Sequence, residues 1–440
     1  MDLIYRIDEI CEINKENISK KDDIQHIQYL DTANLTKGII NETQKLIVGV
    51  DKIPSRAKRK VRLNDILIST VRPNQRHYGI IKKRIENLIV STGFAVLTPN
   101  SKVVDPDYLY WYLTQDSIVE YLQAIAESST SAYPSIKPSL IGSLEIDLPP
   151  LNEQKAIANI LSTLEGKIET NNQINESLDK MAKALFKHWF VDFEFPNGNG
   201  KPYRSSGREM VDSELGMIPK GWKTVKLGDV IDFQNGYAFK SKDLLDIESG
   251  STIRVFKMGN IKKGGGINHS GTKSYIKREQ CKNLSNYIIK KGDLLMCMTD
   301  MKSNVALLGH TALMDRDNEY ILNQRVGLIR TKDTNVINYP YLYVLSNSED
   351  FINNLRSRAN SGVQVNLSTK EIKDSLICLP DNKIHSIFNE ITERMFEKSF
   401  QVEEENQKLI LIRDILLPRL MSGKISVPLD NEASKRRQLI

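Results

Sequence analysis

Ile146-Asp-Leu-Pro-Pro-Leu-Asn-Glu-Gln-Lys-Ala-Ile157 decides the fold, because Ile377-Cys-Leu-Pro-Asp-Asn-Lys-Ile-His-Ser-Ile-Phe388 repeats its design. In each stretch a short apolar run meets Leu-Pro and then gives way to a long segment of helical period. Leu148-Pro149 falls on Leu379-Pro380, an offset of 231 residues. Without a gap, Ile141 then falls on Ile372, Ile157 on Phe388, Leu164 on Met395, Asn175 on Asn406 and Leu185 on Leu416. Two unrelated helices could share a period, but they would not also carry the preceding strand and proline in step. A structural unit is duplicated along the chain.

The repeat continues upstream with small register shifts. Arg62-Leu-Asn-Asp-Ile-Leu-Ile-Ser-Thr70 matches Lys290-Lys-Gly-Asp-Leu-Leu-Met-Cys-Met-Thr299, and Tyr108-Leu-Tyr110 matches Tyr341-Leu-Tyr343. Each copy reads as a mixed α/β domain of short strands, such as Asp65–Ser69, Phe94–Leu97, Thr252–Phe256 and Val326–Ile329, with Tyr108–Ala126 helical. The organisation expected is a first domain over 1–150, a long helix over 151–195, a linker over 196–221, a second domain over 222–380, a second long helix over 381–425 and a polar tail over 426–440. The linker assignment rests on Pro196-Asn-Gly-Asn-Gly-Lys-Pro202 and the polar run after it. Asn152 is the expected cap of the first helix, and Pro418 is expected to end the second.

The first helix carries Ile157, Leu164, Asn171, Leu178 and Leu185 at one heptad position and Ile160, Lys167, Ile174, Met181 and His188 at the other; the second carries Phe388, Met395, Val402, Leu409 and Leu416. Two long helices of the same phase, each trailing a domain, pack on each other as an antiparallel coiled coil with the domains at opposite ends. Lys167, Lys398 and Glu405 interrupt the second row. From Asn152 to Phe190 the helix would span about 58 Å.

Bulk properties exclude several classes. The 440 residues exceed what one core organises. Mean hydropathy is −0.36, no apolar run reaches membrane-spanning length, and Met1–Asp8 has no secretory pattern, so a cytoplasmic location is expected. Cys11, Cys281, Cys297 and Cys378 are scattered, without zinc spacing, and are expected to be buried thiols. The chain lacks a phosphate-binding loop, a dinucleotide fingerprint and a nucleophile elbow. Gly264-Gly-Gly266 sits in a polar loop and reads as a hinge. No catalytic or metal site is expected.

The net charge of +6 permits a polyanionic partner, and its distribution matters more than its sum. Basic residues crowd loop-prone stretches in both copies: Arg56, Lys58, Arg59, Lys60, Arg62, Arg72, Arg76, Lys82 and Lys83, then Lys257, Lys262, Lys263, Lys273, Arg356 and Arg358. Lysine and arginine at this density suit phosphate neutralisation, and arginine, asparagine and glutamine can read base edges. These residues are the candidate DNA-binding set.

Leu148–Ile157 and Met181-Ala-Lys-Ala-Leu-Phe-Lys-His-Trp-Phe-Val-Asp-Phe193 together resemble the central region of type I restriction–modification specificity subunits. Glu214-Leu-Gly-Met-Ile-Pro-Lys-Gly-Trp222 and Arg413-Asp-Ile-Leu-Leu-Pro-Arg-Leu-Met-Ser-Gly-Lys424 are similar to the start of that family's second domain and to its usual ending. The likeness covers essentially the whole chain. It implies a non-catalytic reader of double-stranded DNA, in which each target-recognition domain reads one half of a bipartite site. The two helices would set the gap and, through Ile157, Ile160, Leu164, Ile174, Leu178, Leu185 and their counterparts, would support two methyltransferase subunits. Those subunits would hold S-adenosylmethionine, and restriction/translocase subunits would join for cleavage. One departure stands out: Leu379-Pro-Asp-Asn-Lys-Ile384 lacks the Pro-Pro-Leu-x-Glu-Gln pattern of the first copy, which would alter one of the two partner contacts.

Overall fold

A computed structural model describes residues 3–19, 21–128, 133–302, 305–361 and 364–428. It comprises two compact units, Met1–Thr170 with Glu405–Ile440, and Asn171–Glu404. Residues 429–440, most of the expected polar tail, lie outside the described residues.

In the first unit the opening strand Leu3–Arg6 pairs antiparallel with Glu145–Leu148, Leu3 facing Leu148. This is the strand that the Leu-Pro signature announces. Two four-stranded sheets follow. One has the order Gln44–Ile47, His26–Leu30, Leu88–Ser91, Ala57–Lys60; the other runs Cys11–Ile13, Phe94–Pro99, Ile66–Ser69, Tyr78–Ile80. Ile66–Ser69 is buried at every position, as expected of a continuous apolar run with both faces covered. Helices Pro106–Leu113 and Asp116–Glu127 divide the single helical stretch read from sequence. Asp105 caps the first of them by accepting from the Asp107 and Tyr108 N–H groups, with Pro106 in the first turn.

The second unit repeats this plan. Lys223–Lys226 pairs antiparallel with Leu376–Leu379, and the sheet Ile231–Asn235, Val326–Thr331, Leu294–Cys297, Thr311–Leu313 has the same strand order as its counterpart. Thr252–Phe256 lies parallel to Tyr320–Leu322, as His26–Leu30 does to Leu88–Ser91. The edge strand Ala57–Lys60 has no full equivalent; a single bridge between Ile288 and Ile321 stands in its place.

The long helices are Leu151–Phe186 and Asn382–Met421. The first begins one residue before Asn152, which lies in its first turn and not at its cap. In the first unit Glu165 meets Arg413 and Lys167 meets Glu405, so numbers rise along one helix as they fall along the other. In the second unit Phe186 packs on Phe388, while Tyr343 links Asp179 to Phe396 in the same antiparallel sense.

The seam corrects the expected heptad phase. Ile157, Leu164, Asn171, Leu178 and Leu185 do face inward, fully or by half. The second row is Leu161, Ile168, Asn175, Ala182 and Trp189, one residue later than expected, because the step from Ile157 is four residues and the next is three. Ile160 and Ile174 are therefore half-buried flanks, and Met181, Lys167 and His188 are exposed. The C-terminal helix obeys the same rule: Phe388, Met395, Val402, Leu409 and Leu416 form one row, and Thr392, Ser399, Asn406, Arg413 and Leu420 the other. Lys167 and Glu405 do not interrupt the seam; they form a surface ion pair at 3.3 Å.

Two further expectations are corrected. Pro418 lies inside the helix, which continues to Met421, because buried Leu420 anchors the last turn in the first core and the Pro418 carbonyl still accepts from Ser422. Residues 196–221 are no loose linker. Phe195 stacks between Tyr203 at 4.6 Å and Trp222 at 4.8 Å, and Met210–Val211 pairs with Ile218–Pro219. A wide π turn, Lys187–Val191, lets Trp189 and Phe190 both reach this aromatic core, where Phe190 lies 4.9 Å from Phe388.

The motif departure at the second helix has a visible consequence. Gln154 is buried; its Oε1 accepts from the Asp105 N–H, and its Nε2 donates to the Val103 and Pro149 carbonyls. His385 occupies the matching position in the second copy. It is equally buried, meets the Asn389 amide at 3.0 Å, and burial pushes its imidazole down to about 4. The helix start is thus latched by glutamine in one copy and filled by a neutral ring in the other. Of the cysteines, three are buried and Cys378 is half-buried; burial pushes the Cys11, Cys297 and Cys378 thiols up to about 12.

Candidate nucleic-acid interface

The fold separates the basic residues of the first domain into two groups. Ile66–Ser69 and Tyr78–Ile80 are antiparallel, with Ile66 opposite Ile80 and Ile68 opposite Tyr78. Arg62, Lys82 and Lys83 therefore lie at one end of this hairpin and the 70–77 turn at the other. The strand separates them by about 10–13 Å at the usual rise per residue. Arg56 joins the turn end: its carbonyl accepts from Thr92, and the neighbouring Gly93 carbonyl accepts from Thr70.

Several of these cations already have partners. Lys60 pairs with Asp22, Arg62 with Glu16, Arg76 with Asp116 at 2.5 Å, and Lys82 with Asp107 at 2.7 Å. Arg62 and Lys82, 50% and 45% exposed, are the cations in these pairs most open to exchange for another anion. Arg59 is half-buried, and burial lowers its pKa. Arg56, Lys58, Arg72 and Lys83 are exposed.

The turn at residues 72–76 has unusual geometry. Arg72 and Arg76 adopt φ of 48° and 57°, a left-handed conformation that side chains with a Cβ rarely hold. Pro73–Gln75 forms a single 3-10 turn between them, with Pro73 buried. The Arg72 guanidinium lies over the Tyr133 ring at 5.1 Å. Tyr133 was invisible to a charge-based reading; it comes from a serine-rich segment some sixty residues away, with no periodicity to mark it.

In the second domain the basic residues divide differently. The Lys257 Nζ donates to Ser274 Oγ at 3.0 Å, and burial lowers its pKa; Lys273 is the exposed neighbour of that serine. Lys262 and Lys263 are exposed at the tip of a tight loop. The glycines that follow do not form a hinge. All three have positive φ, the Lys183 Nζ donates to the Gly264 carbonyl at 2.7 Å, and a Cβ on Gly265 would fall 2.7 Å from Asn347. Arg356 donates to the Leu308 and Ala306 carbonyls and so holds a loop in place; Arg358 reaches the Asp374 carbonyl at 3.5 Å. Burial lowers the Arg356 pKa.

Among the described residues no group of three or more His, Cys, Asp and Glu side chains could hold a metal ion, and no helix is long and apolar enough to cross a membrane. The arrangement offers exposed cations, exposed polar side chains such as Asn74 and Gln75, and tight turns.

Comparison with known proteins accounts for this design. The family described as type I restriction modification DNA specificity domain matches residues 4–180 and again 219–409, one match per copy. The type I restriction enzyme HindI specificity subunit of Haemophilus influenzae is 26% identical, over 93% of this chain and 97% of its own length. The MjaIX specificity subunit of Methanocaldococcus jannaschii is also 26% identical, over 77% of this chain and 73% of its own. Among solved structures, the type I restriction–modification S subunit from M. genitalium shares the fold with a TM-score of 0.52 at 16% identity, covering 95% of each chain. With two family matches that span most of its length, the chain belongs to the type I restriction–modification DNA specificity family.

Proposed function

We propose that this chain is the sequence-specific DNA-binding subunit of a type I restriction–modification complex and carries no catalysis of its own. The observation that supports this most directly is the duplication: two domains of one topology, each followed by a long helix, under two separate family matches. Two similar but non-identical readers on one chain suit a bipartite, asymmetric DNA target. Exposed cations neutralise phosphates, and polar side chains on rigid turns read bases in the major groove. The helices, of 36 and 40 residues, are about 54 and 60 Å long, well beyond the roughly 34 Å turn of duplex, and set the unread gap.

Two methyltransferase subunits dock on the helical region and bring S-adenosylmethionine, flipping the target adenine from the stack. Restriction subunits join for cleavage, and the assembly works in the cytoplasm. The test is methylation mapping. The chain is co-expressed with its methyltransferase in a methylation-free host, and modified adenines are sequenced. The expected result is a two-part motif with a fixed gap that disappears when this chain is omitted. A motif that persists without the chain sinks the proposal.

A further inference from the structure

The strained turn at residues 72–76 has more support than a surface loop needs. Its first residue is clamped: Arg72 N–H donates to the Pro134 carbonyl at 2.9 Å, Ile136 N–H donates to the Thr70 carbonyl at 2.8 Å, and Val71 bridges Ser135. Its middle is held by the Asn74 N–H, which donates to Gln123 Oε1 at 3.1 Å. Its far end is pinned where Arg76 meets Asp116. Left-handed backbone at non-glycine residues is strained and persists only where surrounding contacts over-determine it. The side chains this scaffold lifts into solvent are Arg72, Asn74 and Gln75. Arg72 is steadied on the face of Tyr133, itself 60% exposed, and the Gln75 amide is steadied by His77 at 3.1 Å.

The internal repeat supplies an independent argument. The second copy keeps the clamp: Asp300 pairs with Val365, and Leu367 N–H donates to the Met298 carbonyl at 2.9 Å. The tip it holds has different chemistry. Asp300, only 7% exposed, stands where Arg72 does in the first copy, and its carboxylate accepts from the Leu307 N–H at 2.6 Å; the next residue, Met301, is 51% exposed. A scaffold retained between copies with divergent tips is what two readers of unlike half-sites require.

We propose that the Arg72–Gln75 turn is the base-reading element of the first domain, with Arg72 donating two hydrogen bonds to a guanine and Gln75 pairing with an adenine. Tyr133 is a positioning residue that holds the guanidinium plane. The proposal rests on the DNA-specificity reading above. Arginine matches guanine O6 and N7, and a carboxamide matches adenine N6 and N7, in the major groove.

The experiment maps methylation directed by the full chain with its methyltransferase, comparing wild type with Arg72→Ala, Gln75→Ala, Tyr133→Ala and Tyr133→Phe. Arg72→Ala and Gln75→Ala are each expected to make one base pair of one half-site degenerate. Discrimination there falls roughly 5- to 150-fold, the span that a bidentate contact commonly supplies. The other half-site and the gap stay fixed, which reports that the variant has folded and assembled. Tyr133→Ala blurs the same position as Arg72→Ala, and Tyr133→Phe restores it. Unchanged motifs in Arg72→Ala and Gln75→Ala overturn the proposal and leave the specificity reading standing. Loss of methylation at all sites alike also overturns it, because the turn would then govern affinity or folding and not sequence. A wild-type chain that imposes no two-part motif overturns the specificity reading itself, and this proposal with it.

Discussion

Glu165 on the central helix accepts a hydrogen bond from Arg413 on the C-terminal helix at 2.6 Å, and the Arg413 side chain is only 18% exposed. Residues 248 positions apart are thus joined by a charged contact at the edge of the first core. The same guanidinium also reaches Asp414 at 2.8 Å, so it has a second carboxylate on its own helix.

Replacing Glu165 with glutamine removes the inter-helix charge but keeps the shape. The expected cost is about 1–3 kcal/mol in denaturant unfolding, the scale of a hydrogen bond to a charged group. Arg413→Met should cost a similar amount alone, and the pair of substitutions less than the sum. Strict additivity would show that the two side chains do not stabilise one another.

His385 predicts a pH dependence. Its folded value, about 4, lies below its ordinary value of 6.5. Below pH 6.5 the unfolded chain takes up a proton that the folded chain refuses, so stability falls as pH drops from about 6.5 towards 4 and then levels off. The most this can amount to is about 3 kcal/mol. Urea midpoints of wild type and His385→Gln at pH 7, 6 and 5 check it. The variant should lose the extra slope, and identical slopes would mean that the ring is not what titrates.

Gly265→Ala tests the docked glycine tip. Its φ is +103°, and the added methyl would fall against Asn347, whose amide is already fixed by Thr311 and Tyr343. Loss of about 2 kcal/mol or more is expected, seen as a lower melting temperature. Gly250→Ala, with open space at its Cβ and no positive φ, should change little. Equal effects at both sites would contradict the close packing described for residue 265.

Salt dependence distinguishes the cations of the Ala57–Lys60 edge strand. Lys58 is exposed, whereas Lys60 is held by Asp22. In the assembled complex, Lys58→Ala should flatten the plot of log affinity against log salt by nearly one unit, since a phosphate contact contributes about 0.9. Lys60→Ala should flatten it less. Wild-type slopes in both variants would remove this strand from the DNA interface.

Much of the architecture was legible because duplication is a property of sequence itself: the Leu148-Pro149 and Leu379-Pro380 strands and the Ile157 and Phe388 rows fall where the repeat places them. The second heptad row is hard to place from sequence because buried polar side chains, Thr392 and Asn406 among them, occupy part of it and mask the period. Pro418 and residues 196–221 defeat a local reading for a related reason. Local breaker residues were outweighed by distant burial, of Leu420 in one case and of Phe195 against Trp222 in the other. The candidate site was least legible. Charge density found Arg72, but only folding brings Tyr133 beneath it and separates Arg72 from Lys82.

The first core takes Leu416, Leu417, Leu420 and Met421 from the C-terminal helix into one cluster with Trp111, Ile157 and Leu161. During synthesis, a core begun by Ile7 and Ile10 is therefore sealed only after the second domain has been made. Its apolar floor stays open until Leu416–Met421 have been made. A chain cut short anywhere before residue 416 leaves two incomplete cores, or one complete and one open, but never a finished amino-terminal domain.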